Sequence, residues 1–393
     1  MTSVGTTLPD VVVVGAGITG CATALSLAEA GARVLVIERY RPAAMASGWT
    51  LAGVRQSGRA PAELPLARAA VEIWQTLDAR LDAPTGYRQA GNLRLARTDD
   101  EAEIIADLVT SQMAAGLPME LLDCKAAREI APALAESILF ASWCPSDGHA
   151  DPVASVEGFR CAAERLGVQF RTGLGITGVT TEKAQFVSLA TTDGPIAAGT
   201  ALIAAGVLTN ALLEGLGQHI PMTLPMVSVL QSAPLPMSLG PVIGVANADL
   251  AVRQQIDGRL RFTGGADPAG AKLDLSGEHP AVHPPAASLA RTISLVSTVL
   301  PMAAQAPIAR VWGGLLDLTP DALPVLDRVP GVEGLFVAAG FSGHGFGIGP
   351  AVGQALARLV LGAQTDIPLG AFAFDRFANR PETEAAPTLT LHG

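Results

Sequence analysis

Cysteine, charge and basic leader segments are all scarce in this chain, and each scarcity closes off a class of protein. The four cysteines, Cys21, Cys124, Cys144 and Cys161, are far apart and show neither CxxC nor zinc spacing. No disulfide framework and no metal site are therefore expected, and a reducing, cytoplasmic setting fits. Only 16% of residues are charged and the net charge is −10, with a pI near 5.1. An acidic surface repels polyphosphate backbones, so nucleic acid is not an expected partner. Residues 11–28 carry no charge and are nearly long enough to span a bilayer. Their three glycines and the lack of a basic n-region argue instead for a buried strand and helix, and against a signal peptide. A second uncharged run, 215–248 apart from His219, is broken by Pro221, Pro225, Pro234, Pro236 and Pro241. It reads as buried strands or a subunit interface, not as a spanning helix.

What the chain does have is length and apolar mass. At 393 residues, 49% of them hydrophobic, it exceeds one ordinary core, and two domains are expected. The most informative segment is 10–39, DVVVVGAGITGCATALSLAEAGARVLVIER. A valine strand runs into a turn with Gly15, Gly17 and Gly20, then a helix, then a strand ending in Glu38. In a βαβ unit Gly15 makes the tight turn, Gly17 admits a dinucleotide pyrophosphate to the backbone, and Gly20 lets the helix pack on the strand. The pyrophosphate meets free N–H groups and the positive end of the helix dipole. Glu38 can accept hydrogen bonds from an adenosine ribose and disfavours a 2′-phosphate, so NADP is not expected. The motif alone does not choose between FAD and NAD.

Further along, 62–80 has helical periodicity, with Leu66, Ala70, Ile73 and Leu77 on one face. Residues 91–97 read as a strand, 99–115 as an amphipathic helix, and 154–166 as a helix leading into the strand VQFRT. Residues 195–205 are strand-like and end in Ala204-Ala205-Gly206. From 222 to 309 the pieces VSVLQSA, PVIGVAN, LAVRQQ and RLRFTGG, divided by turns such as Asp257-Gly258, spell an antiparallel meander. From Gly334 the chain returns to a strand, GLFVAAG, then a turn with five glycines in 340–349, then a helix over 350–361. A strand, glycine turn and helix at each end of the chain suggest that both ends meet on one cofactor. The expected fold class is α/β (α+β overall), a Rossmann-like dinucleotide domain with a second, mainly antiparallel substrate domain. The expected division is 1–84, 146–220 and 310–393 for the first, and 85–145 and 221–309 for the second.

Three segments, 148–159 (GHADPVASVEGF), 312–330 (WGGLLDLTPDALPVLDRVP) and 334–360 (GLFVAAGFSGHGFGIGPAVGQALARLV), join the first fingerprint. Together they resemble the D-amino-acid oxidase superfamily of FAD-dependent amine oxidoreductases. Within it the chain is most similar to glycine oxidase, to the β subunit of heterotetrameric sarcosine oxidase, and to hydroxyproline and opine dehydrogenase subunits. The resemblance runs from about residue 10 to 361 and is specific to the superfamily, not to a substrate. It implies FAD as cofactor, held by Gly15, Gly17, Ile18, Thr19, Gly20, Glu38, Arg39, Ser47 and Gly48. Ala205, Gly206, Gly314, Gly340, Gly343, His344, Gly345, Phe346 and Gly347 follow along the same cofactor. It also implies oxidation of a C–N bond by hydride transfer to flavin N5, in which positioning of a neutral amine carries much of the catalysis.

The substrate end departs from the family. An arginine that anchors the substrate carboxylate in glycine oxidase-like members is replaced by Leu316, a second anchor position holds Gly343, and the sarcosine oxidase-type lysine position falls near Gly347. The pattern WxGxxDxTxD survives as Trp312, Gly314, Asp317, Thr319 and Asp321. Asp317 and Asp321 either orient a substrate amine or cap the turn beneath the flavin. Arg55 is the first choice for the missing anchor, with Arg59, Arg253 and Arg261 behind it, and His344 either contacts ring or substrate or is a structural histidine. The covalent-FAD cysteine position falls near Leu315 or Leu316, so FAD is expected to be noncovalent. His149 lies where some heterotetramers bear covalent FMN, but Ala150 stands directly before Asp151; FMN at a subunit interface stays open, its covalent attachment is not expected. The expected partners are a small amine or amino-acid substrate and an α-type subunit in a hetero-oligomer, otherwise a homo-oligomer. Two other readings remain: a stand-alone oxygen-using oxidase of glycine, sarcosine or D-amino acids, and a non-catalytic flavin-bearing subunit.

Overall fold

The four valines of the strand Val11–Val14 are all buried, and their side chains alternate between two cores. Val11 and Val13 face a helical layer with Ile18, Leu25, Trp74, Phe159 and Val352, while Val12 and Val14 face Leu174, Phe186 and Leu189. β-branched residues buried on both faces are what a central parallel strand requires. The computed structural model describes residues 8–267 and 271–378. The parts of the expected domains at 1–7, 268–270 and 379–393 lie outside the described residues.

The six-stranded sheet has the order Val325–Arg328, Leu335–Ala339, Thr200–Ile203, Val11–Val14, Val34–Glu38, Gln169–Thr172, and only its first pair is antiparallel. From Val11–Val14 the chain steps first to one neighbour and much later to the other. This reversal opens a crevice at the carboxyl ends of the strands, where such sheets bind ligands. The helices Ile18–Glu29, Leu64–Leu81, Pro152–Arg165 and Gly345–Val360 cover one face, and the strands of 176–197 cover the other.

Helix Gly345–Val360 lies against helix Ile18–Glu29 at unusually close range. A β-carbon at Gly349 would sit 2.7 Å from Ile18 Cγ1, and one at Gly353 would sit 2.6 Å from Ala22 Cβ. Part of the second glycine cluster is thus explained by helix packing. This corrects the expected turn over 340–349: the helix starts at Gly345, five residues before its expected start, and the turn proper is 340–344. Glycine's poor helix propensity and the absence of a capping side chain hid that start.

The second sheet has eight strands in the order Ile308–Leu315, Met226–Pro234, Arg259–Gly264, Leu250–Gln254, Val242–Val245, Asn92–Ala96, Phe140–Cys144, Glu120–Asp123. Only the Val242–Val245 and Asn92–Ala96 pair is parallel. The period-two alternation is strict: Leu230, Leu250, Val252, Leu260 and Phe262 face a core with Val296 and Val299, and Val227, Val229, Ala251 and Thr263 face the crevice. Two details differ from expectation. The meander over 222–309 also contains the helix Ala286–Val299, and the strand Ile308–Leu315 is hydrogen-bonded throughout to Met226–Pro234, so a boundary at 310 falls inside a strand of the second sheet. Among the described residues, no helix is long and apolar enough to cross a membrane.

Candidate active site

A single long cleft runs between the carboxyl ends of the parallel strands and the inner face of the eight-stranded sheet. One end is built from Gly15, Gly17, Ile18, Thr19, Glu38, Arg39 and Tyr40, with Leu174 and Ile176 beyond them and Ser47, Ala205 and Gly206 alongside. Gly15 has φ +104°, and a β-carbon there would lie 2.4 Å from the Ala204 carbonyl oxygen. Glycine is the residue that both the dihedral and the space allow. Helix Ile18–Glu29 starts with no acidic residue in its first turn and no capping side chain from Gly17. Its open N-terminus suits a pyrophosphate.

Glu38 fixes this turn directly. Its two carboxylate oxygens accept the Ala16 and Tyr40 amides, each at 2.8 Å. Burial raises the Glu38 carboxyl above the usual carboxylate range, against the pull of those amides. Each oxygen keeps a lone pair for a ribose hydroxyl. Ser47 Oγ accepts the Ile18 amide at 3.0 Å, so this side chain both lines the cleft and covers one helix N–H. Gly20 and Gly48 do not line the cleft; their β-carbons would strike the Gly15 and Ala43 carbonyls at 2.0 and 2.1 Å. Both are packing glycines.

At the opposite end the lining is Gly314, Leu315, Leu316, Asp317, Ala338, Phe341, Gly343, Gly345 and Phe346. Gly340, His344 and Gly347, expected along the same cofactor, are not among the residues that line it. Gly340 sits over Thr319, with a β-carbon position 2.4 Å from Thr319 Cγ2, and Gly347 faces the Gly53 carbonyl at 2.7 Å. The Gly347 carbonyl in turn accepts Trp74 Nε1–H at 2.7 Å, locking the two helices together. Asp317 lines the cleft and also supports the turn: Oδ2 accepts the Gly340 amide at 2.9 Å and its backbone carbonyl accepts the Ser342 amide at 3.2 Å. Burial pushes its carboxyl up to about 6 even so. Asp321 is committed to an ion pair with Arg376 at 2.8 Å.

Arg55 and Arg59 line the cleft near this end, together with Asn92. They belong to the segment RQSGR at 55–59, whose backbone is held from behind. Asp147, fully buried, accepts the Gln56 amide at 2.9 Å and the Ser57 hydroxyl, and Gln112 accepts the Gly58 amide at 3.1 Å. The Arg55 guanidinium makes no hydrogen bond to any described residue, although Arg55 is only 9% exposed. Burial, with Arg59 and Arg94 nearby, drives its protonation equilibrium well below that of an ordinary arginine. A buried cation in that condition is relieved by an arriving anion.

Arg253 and Arg261, the other expected candidates, stand on the second sheet outside the cleft lining. Arg261 donates to the Thr50 carbonyl at 2.7 Å and stacks on Trp312. Arg253 meets His149 Nδ1 at 2.9 Å, and burial next to that guanidinium pushes His149 down to about 3. His344 is buried with Nδ1 3.1 Å from Glu63 Oε2. Glu63 was not singled out from sequence, although its place four residues after Arg59, at the start of a helix, was a signal for an ion pair. Trp49, Thr50 and Leu51 also line the cleft, in a stretch of which only Ser47, Gly48 and Arg55 were singled out from sequence. None of the four cysteines and none of Lys125, Lys183 and Lys272, the chain's lysines, lines it.

A glycine-turn dinucleotide cleft roofed by a second sheet defines a nucleotide-dependent oxidoreductase with room for a second ring system beyond the pyrophosphate. The chain belongs to the DAO family of FAD-dependent oxidoreductases, whose profile, described as "FAD dependent oxidoreductase", matches residues 10–359. It is 26% identical to a D-amino acid dehydrogenase of Cereibacter sphaeroides, over 97% of this chain and 98% of that protein. It is 26% identical to the sarcosine oxidase subunit beta of an Arthrobacter species, over 94% and 91%. The crystal structure of L-proline dehydrogenase from P. horikoshii superposes with a TM-score of 0.87 at 26% identity, covering 94% of this chain and 98% of that one. The glycine cradle, the open helix N-terminus and the Glu38 carboxylate fit FAD.

Proposed function

We propose that this flavoprotein oxidises the C–N bond of a small amino acid or secondary amine, such as an imino acid, hydroxyproline, opine or N-methyl amino acid. It does so as the β-type subunit of a dehydrogenase complex. FAD, bound noncovalently, supplies the hydride acceptor at N5. The segments around the six-stranded sheet hold the cofactor and the eight-stranded sheet roofs the substrate. Arg55 anchors the substrate carboxylate, while the apolar inner face of Val227, Val229 and Ala251 excludes water. Asp317 and the 340–344 turn keep the backbone of the cofactor end fixed.

The observation that carries this reading is Arg55, a buried guanidinium facing the cleft with no protein hydrogen bond among the described residues. Noncovalent FAD is supported by the absence of cysteine from the lining, and an acceptor other than oxygen by the absence of lysine. The similarity to proteins named sarcosine oxidase subunit beta supports the subunit role. The test is anaerobic bleaching of the bound flavin by a panel of D- and L-amino acids, N-alkyl glycines, prolines and opines. At least one carboxylate-bearing amine should bleach it. Bleaching by none would overturn the catalytic reading, and reoxidation of the reduced protein by air within milliseconds would overturn the preference for a dehydrogenase.

A further inference from the structure

Behind the two arginines of the cleft lies a carboxylate that the C–N oxidation does not itself use. Glu63 is 0% exposed, and its Oε2 stands 3.1 Å from His344 Nδ1 and 4.0 Å from Arg59 Nε. Its Oε1 has no hydrogen-bond partner among the described residues. Arg59 is 4% exposed, lines the cleft, and keeps Nη1 without a partner. The other buried acid of this end, Asp147, is occupied by the backbone and hydroxyl of 56–57. Burial and Arg59 push the His344 imidazole below its usual range, against the pull of Glu63. Of the two arginines facing the cleft here, Arg59 is therefore ion-paired with a buried carboxylate, whereas the Arg55 guanidinium feels the charges of Asp147 and Glu63 only at longer range and makes no ion pair or hydrogen bond with a described residue.

We propose that Glu63 is a positioning residue that sets substrate specificity: by holding the charge of Arg59 it leaves Arg55 to receive one carboxylate, so the cleft takes monocarboxylate amines and rejects dicarboxylates. The inference rests on the reading of Arg55 as the anchor and narrows its substrate class to the monocarboxylates of that range, leaving out opines, which carry two carboxylates. A first carboxylate meets a guanidinium that has no hydrogen bond to a described residue. A second would lose its hydration to reach a guanidinium already paired, and would face the negative charge of Glu63 across it. Removing that charge frees Arg59 without altering the lining of the cleft.

The experiment uses the purified FAD-loaded protein and two ether analogues that cannot be oxidised as amines: methoxyacetate, with one carboxylate, and diglycolate, with two. Dissociation constants are read from the perturbation of the flavin absorbance. The natural sequence should bind methoxyacetate more tightly than diglycolate, and Glu63→Gln should move the ratio of the two constants toward diglycolate by about tenfold or more. A merely structural role would weaken both ligands alike, which would overturn the proposal. Glu63→Gln combined with Arg59→Gln removes both charges and should restore the preference for methoxyacetate. Equal or tighter binding of diglycolate by the natural sequence overturns the specificity role while leaving the anchor standing, even where the Glu63 variant fails to fold. No perturbation by either ligand overturns the anchor itself.

Discussion

Replacing Arg55 by methionine should move stability and ligand binding in opposite directions. Methionine keeps an unbranched apolar stem of similar reach, so packing is largely retained and the charge is what changes. In the unliganded protein that charge is buried beside Arg59 and Arg94, and burial is the largest cause of its depressed protonation. Exchanging a poorly compensated buried charge for an apolar group stabilises by about 1 to 4 kcal/mol in comparable settings. With an unfolding entropy of about 2.1 cal/mol/K per residue, a relief of about 2 kcal/mol raises Tm by about 2.5 °C in a chain of this size. The same substitution removes the partner of the substrate carboxylate, at a cost of about 2 to 5 kcal/mol, or about 30- to 5000-fold in dissociation constant. The assay is a thermal melt of wild type and Arg55→Met with and without methoxyacetate, alongside the absorbance titration. The variant should melt higher without ligand, and the ligand-induced rise in Tm should vanish. A variant that melts lower yet binds methoxyacetate normally would refute the reasoning, because Arg55 would then be a structural cation whose compensation had been misjudged.

Two further perturbations address the cofactor end and the interior. Gly15→Ala must place a β-carbon 2.4 Å from the Ala204 oxygen at φ +104°, and its three nearest atoms, from Ala204 and Ala205, are all backbone. Strain of about 1 to 3 kcal/mol should raise the FAD dissociation constant by about tenfold or more in a fluorescence titration; unchanged affinity would show that the turn shifts without consequence. His149, held down to about 3 by burial and Arg253, stays neutral in the folded protein while the unfolded chain takes up a proton near pH 6.5. The unfolded state therefore binds more protons between those values, and stability falls with pH across that window, by about 2 kcal/mol on reaching pH 5. Urea midpoints at pH 7.5 and 5 should show a smaller loss in His149→Gln than in wild type, and equal losses would count against a neutral buried His149.

The parts of this protein that were legible in the sequence are those whose physical cause is local. The first βαβ unit announces itself because strand, turn and helix occupy thirty consecutive residues, and each glycine answers a constraint within that span. The helix Leu64–Leu81 and the strands of the meander follow from periodicity alone. The start of helix Gly345–Val360 did not, because its glycines answer a helix more than three hundred positions away: what Gly349 and Gly353 meet is Ile18 and Ala22. Five glycines in a row of ten read as one loop when two different constraints are superposed, a turn held by Asp317 and a close helix contact.

The substrate end shows the same division more sharply. Arg55 could be put forward as the anchor because the cationic positions that the resemblance implies hold Leu316, Gly343 and Gly347 in this chain. Its partners could not. Glu63 and His344 stand 281 positions apart and meet as the residues flanking two helix starts, which are packed together by contacts such as Trp74 with Gly347 and Phe346. Gly347, at the position where the resemblance places a lysine, instead packs against the Gly53 carbonyl and holds Trp74, one of the contacts between the two helices whose starts carry Glu63 and His344. A position that looks like a loss in a linear comparison is, in the folded protein, part of what places the remaining charges, and cation count along the sequence is for that reason a poor guide to how many charges the cleft presents to its substrate.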